Sequence, residues 1–179
     1  MIKSLSFLLF CLWLASPGFS QEWTRFRGPN GSGVGEISSL PAEFSSAEYS
    51  WAIKLNGQGH SSPVLWGEKL FITLADENTD ERRLLCVDSK SGKVLWRWNA
   101  PHDEHNLHNF NNFASATPTT DGQHVYVVWG SGKKTEAVAI DHSGKEVWKK
   151  EWPDFTSDHG HASSPVMIGG KLVFHTDSL

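Results

Sequence analysis

The chain has 179 residues, a formal net charge of −4, two cysteines, nine tryptophans and ten phenylalanines. It shows no Lys/Arg cluster and so has no electrostatic footprint for nucleic acid, and no apolar run is long enough to span a bilayer as a helix. So many large planar side chains instead supply filling between packed sheets.

Met1 to Ser20 carries Lys3, an apolar run from Leu5 to Leu14 and a small-residue end at Gly18-Phe19-Ser20. This is the layout of a secretory signal peptide (1–20) cleaved before Gln21. Phe10 stands before Cys11 where a lipidation signal wants a small residue, so the mature protein is expected to be exported, periplasmic or extracellular, with no transmembrane segment. Cys86 then remains as one cysteine, which excludes an intrachain disulfide in this stretch. Its apolar strand context makes it a small buried hydrophobe rather than a nucleophile.

Residues 21–48 read as an irregular arm: Gly28, Gly31, Gly33, Gly35, Pro29 and Pro41 give turns, while Trp23, Phe26 and Phe44 tie it down. Arg25 and Arg27 flank Phe26 and so can aim two guanidinium groups at one anionic group. The plainer reading is an arm that seals a blade and leaves its arginines solvated. Asn30-Gly31-Ser32 has the form of a glycosylation sequon.

Repeat structure begins at Tyr49 and runs to the end, 49–179. Tyr49 to Leu55 (YSWAIKL) reads as the outer strand of a unit, with Trp51 in the place that Trp96 and Trp148 take later. Leu84 to Trp98 (LLCVDSKSGKVLWRW) reads as two strands joined at Ser89 to Gly92, where Gly92 supplies positive φ and Asp88 accepts turn amides. Ala137 to Trp152 repeats it: Asp88 and Asp141 fall 53 residues apart, and Gly92 and Gly144, like Trp96 and Trp148, fall 52 apart. A fixed period of this size marks a repeat architecture.

A second phrase recurs out of phase: SSPVLWGEKLFIT from Ser61, SATPTTDGQHVYVV from Ser115 and SSPVMIGGKLVFHT from Ser163. Each is a Ser/Thr-Pro entry, a strand, a Gly-centred turn and a second strand. The prolines stand at strand starts, where no ladder donor is needed. Four short strands per unit of about 40 to 50 residues make an all-β protein, a β-propeller of four-stranded blades. Residues 56–98 form one blade, 99–152 a second, and 153–179 begin a third.

The run Cys86 to Trp96 resembles the tryptophan-docking motif A-x-D-x-x-T-G-K-x-x-W of pyrroloquinoline quinone (PQQ)-like propeller repeats, with Cys86 for the alanine and Ser91 for the threonine. Ala139, Asp141, Gly144, Lys145 and Trp148 form a copy one turn residue shorter. Most of the mature chain, including WTRFRGPNGSG from Trp23 to Gly33, is similar to exported PQQ-like repeat proteins related to the outer-membrane assembly lipoprotein BamB. The resemblance implies blade-docking roles for Asp88, Gly92, Trp96, Asp141, Gly144 and Trp148. About two and a half blades are expected here, an incomplete set, because propellers close with at least four. A small sandwich or open sheet is the alternative, and it would have to cover two long edges.

Two histidine sets stand out. Asn99 to Asn112 (NAPHDEHNLHNFNN) places His102, His105 and His108 every third residue, a spacing that matches no zinc signature and reads as an exposed insertion. Gly59-His60 and Gly160-His161 each precede a Ser-Pro entry, with Asn111-Asn112-Phe113 between them. His60, Asn112 and His161 are therefore a candidate ligand ring at the channel mouth, against a purely structural role copied with the repeat.

Three functions follow. The first is an exported scaffold or binding protein of the cell envelope, with protein partners or a small ligand at the channel mouth and no catalytic residues or metal site. The second is a PQQ-dependent dehydrogenase, in which the resemblance would imply PQQ with calcium held by further blades. No cofactor is expected from this segment alone. The third is a hydrolase or polysaccharide-binding module with Trp66 or Trp129 as platforms, although blade core accounts for both.

Overall fold

The computed structural model describes residues 22–35, 41–76, 78–103, 107–153, 157 and 159–176. The secretory signal expected at 1–20 lies outside the described residues, as do Glu104 and His105 of the polar insertion. Among the described residues a single 3-10 turn, Ser46–Glu48, interrupts an otherwise all-β fold.

Ten strands among the described residues follow one another as antiparallel meanders. β1 (Val64–Trp66), β2 (Lys69–Asp76), β3 (Glu81–Asp88) and β4 (Val94–Pro101) form the first sheet in that order. β5 (Thr119–Thr120), β6 (His124–Ser131), β7 (Lys134–Asp141) and β8 (Glu146–Pro153) form the second. β9 (Val166–Ile168) pairs with β10 (Lys171–Val173) to open a third. The short strands β1, β5 and β9 lie side by side, so the sheets radiate from a common axis as successive β-propeller blades.

The turns follow from their residues. Asp88 Oδ1 accepts the Ser91 amide at 2.7 Å, and Asp141 Oδ1 accepts those of Ser143 at 2.8 Å and Lys145 at 3.0 Å. Gly92 and Gly144 close the two turns at φ 72° and 95°, where a side chain would be strained. A register shift falls between Cys86 and Val87 in one blade and between Ala139 and Ile140 in the other. The bulge is thus part of the repeat, and it re-aims the residues leading into the turn.

Blade stacking makes the core. Val64, Phe71, Leu84 and Cys86 on one face of the first blade meet Val125, Val127, Trp129, Val138 and Ile140 on the facing side of the second. Trp96 and Trp98 extend this core toward the rim. The opposite face of the first blade, with Leu74, Leu85 and Val87, is covered by Trp51 and Leu55.

Tryptophans latch one unit to the next. The Trp51 indole N–H donates to Ser89 O at 2.9 Å, and that of Trp96 to His142 O at 3.1 Å. Each ring lies against the glycine of the turn it meets, Gly92 and Gly144 respectively. Trp66 does the same nearer the axis, where it abuts Gly122 in the β5–β6 turn. Trp148, half-buried, lies 6.0 Å from the Tyr126 ring.

One inter-blade contact is ionic. Arg82, on β3, is fully buried, donates to Glu136 Oε2 on β7 at 2.6 Å and to Gly130 O at 2.8 Å, and stacks on Trp129. Glu136 also meets Lys149 at 2.6 Å and Lys134 at 3.4 Å, so a chain of alternating charges runs from the blade interior to its edge.

The arm does more than seal a blade. Trp23 exchanges two backbone hydrogen bonds with Leu65 of β1, at 3.1 and 2.8 Å, while Thr24 O accepts from Thr120 N at 2.9 Å and Thr119 Oγ1 at 3.0 Å. The segment therefore lies along the innermost strands of both blades. Arg25 turns onto its own loop, donating to Gly28 O at 3.1 Å and Pro29 O at 3.0 Å.

Candidate binding cleft at the channel mouth

The Ser/Thr-Pro entries form a hydrogen-bonded chain around the axis. Ser62 N donates to Thr117 Oγ1 at 2.9 Å, and Thr117 N donates to Ser164 Oγ at 3.0 Å. Ser62, Thr117 and Ser164 each stand immediately before the entry proline. At Thr117 and Ser164 the hydroxyl supplies the acceptor that the neighbouring blade's entry amide needs. His60 N and Ser61 N both reach Ala114 O, at 3.3 and 3.2 Å.

This chain frames a cleft of about 470 Å³. It is lined by Ser115, Thr117, Ala162, Ser163 and Ser164 of the blade entries, by Phe26 from the arm, by Phe110 and Asn111 from the insertion, and by His60. Phe110 is 85% exposed and Phe26 45%. Among the described lining residues, His60 is the one titratable group.

The structure brings His60 into the cleft but places Asn112 and His161 elsewhere, each only 8% exposed. Asn112 is turned inward because its Oδ1 accepts the Ala114 amide at 2.8 Å, which caps the loop. His161 is one residue out of phase. Counted back from the entry prolines Pro63, Pro118 and Pro165, the equivalents of His60 are Ser115 and Ala162, whereas His161 corresponds to Gly59 and to the fully buried Ala114. Asn111 takes the place expected of Asn112, held by Ser115 Oγ and by its own amide on His159 O.

The insertion histidines are dispersed. His102 is buried with its ring 4.0 Å from that of Phe113, while His108 is exposed beside Phe110 and His159. Among the described residues, no three His, Cys, Asp or Glu side chains gather to hold a metal ion. Burial pushes the Cys86 thiol up to about 11, so at neutral pH it is protonated and no nucleophile.

The mouth residues that sequence reasoning missed are Phe26, Phe110, Asn111, Ser115 and Ser163. Phase from the proline would have found Ser115; nothing in the sequence marks the two phenylalanines as parts of one cleft.

The sequence profile of the family described as "Outer membrane protein assembly factor BamB" matches residues 32–179. Among solved structures, BamB from Moraxella catarrhalis is similar at 15% identity and a TM-score of 0.51, over 70% of this chain and 36% of that one. A europium-containing methanol dehydrogenase is similar at 15% identity and a TM-score of 0.45, over 64% of this chain and 19% of that one. The chain therefore spans about a third of the BamB structure it matches. No curated protein matches it.

Proposed function

Because the chain belongs to the family of the outer membrane protein assembly factor BamB, we propose that it acts as an exported scaffold of the cell envelope that binds protein partners through the loops at its channel mouth. The observation that carries this reading is the latching of successive blades by Trp51 on the Ser89–Gly92 turn and Trp96 on the His142–Gly144 turn. Rigid blades hold the mouth loops in fixed relation, and a preorganised surface loses little entropy when a partner docks. In support, no helix among the described residues is long and apolar enough to cross a membrane.

The donor set of the cleft does not suit pyrroloquinoline quinone. Its carboxylates need converging cations or a metal to offset their desolvation, whereas the described lining offers hydroxyls, an amide and His60, and Arg25 is engaged by its own loop.

Deleting the gene in the source organism tests the reading. Folded outer-membrane β-barrel proteins, scored by heat-modifiable gel mobility, should fall, and quinone-dependent dye reduction should be unchanged. Loss of dye reduction with barrel proteins unaffected would replace the scaffold by a dehydrogenase.

A further inference from the structure

The mouth cleft has a chemistry that partner docking does not use. We propose that it binds an uncharged sugar, one or two pyranose rings of a neutral glycan, seated between Phe26 and Phe110.

Three observations lead there. The first is charge. His60 is the one titratable side chain among the described lining residues, so a charged ligand entering the cleft would give up its water for no more than one imidazole and the Arg27 guanidinium that lies 5.5 Å over the Phe26 ring. The second is the pairing of apolar and polar walls. Phe26 and Phe110 present exposed rings, and a pyranose offers an apolar C–H face to such rings while its rim hydroxyls turn to polar groups. Ser163 lines the cleft, and its hydroxyl bonds to no other described residue; Thr117 and Ser164, which accept from Ser62 N and Thr117 N, keep their own O–H groups to donate.

The third observation separates a sugar from an extended peptide. A peptide strand gains its affinity by pairing with free main-chain amides along an edge. At two of the three blade entries those amides are spent: His60 N and Ser61 N on Ala114 O, Ser62 N on Thr117, Thr117 N on Ser164, and Ala114 N on Asn112. What remains is rings, hydroxyls and the short run of amides at Ala162 to Ser164, too short an edge for strand pairing along the cleft and suited to the rim hydroxyls of a polyol. A volume of about 470 Å³ falls in the range of small-ligand sites.

The test uses the full-length protein, titrated by calorimetry with cellotetraose and with chitotetraose, and in parallel with an uncharged extended peptide of alternating Thr and Leu. Saturable binding of either sugar is expected, weakened about tenfold by Phe110→Ala, as loss of one ring contact implies, and preserved in Phe110→Trp. Because Phe110 is 85% exposed, the alanine variant should melt like the parent. Ser163→Ala should weaken sugar binding in the same assay. Absence of binding by both sugars at millimolar concentration, binding indifferent to Phe110→Ala, or tighter binding of the peptide would each overturn the proposal.

Discussion

The indole of Trp96 lies so close to Gly144 that a Cβ on the glycine would sit 2.8 Å from its Cδ2. Because the glycine is at φ 95°, both space and backbone conformation require it. Trp96→Ala should cost about 3 to 5 kcal/mol, the usual loss for a large aromatic group packed against a core. Gly144→Ala should also destabilise, and more than Gly67→Ala, since Gly67 at φ 58° has nothing within 4 Å of the added methyl. Chemical denaturation of the variants gives the order directly.

The buried Arg82–Glu136 pair should respond asymmetrically. Glu136→Ala strands a guanidinium that is fully buried, and a loss of about 3 to 5 kcal/mol is expected. Arg82→Ala leaves Glu136 still facing Lys149 at 2.6 Å and should cost less. Replacing both residues by apolar side chains of similar volume should recover most of the loss. A double-mutant cycle by urea unfolding separates the coupling from the single-site effects.

These two contacts show what the sequence could reveal. The Trp96 latch was legible because a repeated Asp, Gly and Trp at constant spacing has one economical explanation, a turn and the ring that covers it. The Arg82 pair was not, because it occurs once: the residue 53 positions later is Thr135, so periodicity carries no trace of it. At the mouth, His60 and His161 share a Gly-His dipeptide yet differ in phase from the proline. A one-residue difference is enough to exchange an axis-facing side chain for a buried one, as it does in any extended segment. Phe26 and Phe110 come to line one cleft only through the path of the arm, a long-range arrangement that no local pattern encodes.

Stability should fall with acid in two stages. Burial, and then the charge of Lys69, lower the His142 pKa below its ordinary 6.5; the ring stands beside Thr120 Oγ1 at 3.1 Å and 5.1 Å from the Phe71 ring. A depressed folded pKa means the unfolded chain binds the proton first, so this contribution is whole above about pH 6.5 and lost as pH falls below it. Asp141 comes next. Hydrogen bonds from the Ser143 hydroxyl and the Lys145 amide hold its carboxyl at about 2 against 3.8, so its contribution disappears as pH falls from about 4 toward 2. Melting temperature measured against pH should show both steps, the first absent in His142→Gln.

Cys86 should be silent to thiol reagents in the native protein. It is fully buried, and desolvation raises its pKa to about 11 from 9.0, so neither access nor thiolate is available. Labelling should follow the unfolding curve in denaturant. The same shift predicts an alkaline loss: the unfolded chain ionises first, and stability declines as pH rises from about 9 toward 11. Fast native-state labelling at neutral pH would refute the burial.

The arm supplies the last prediction. Trp23 and Thr24 lie against β1 and β5, and they provide the acceptors for two amides from different blades, Leu65 N on Trp23 O and Thr120 N on Thr24 O. A segment that answers the inner strands of both blades couples them at the axis, as Trp96 couples them at the rim. Trp23→Pro removes the amide that donates to Leu65 O, together with the indole that packs on Gly28; Trp23→Ala removes the indole alone. Hydrogen exchange should therefore show the Leu65 and Thr120 amides losing protection together in Trp23→Pro, with a smaller loss in Trp23→Ala. Protection of both amides in the proline variant would mean that the arm is not what holds the inner strands.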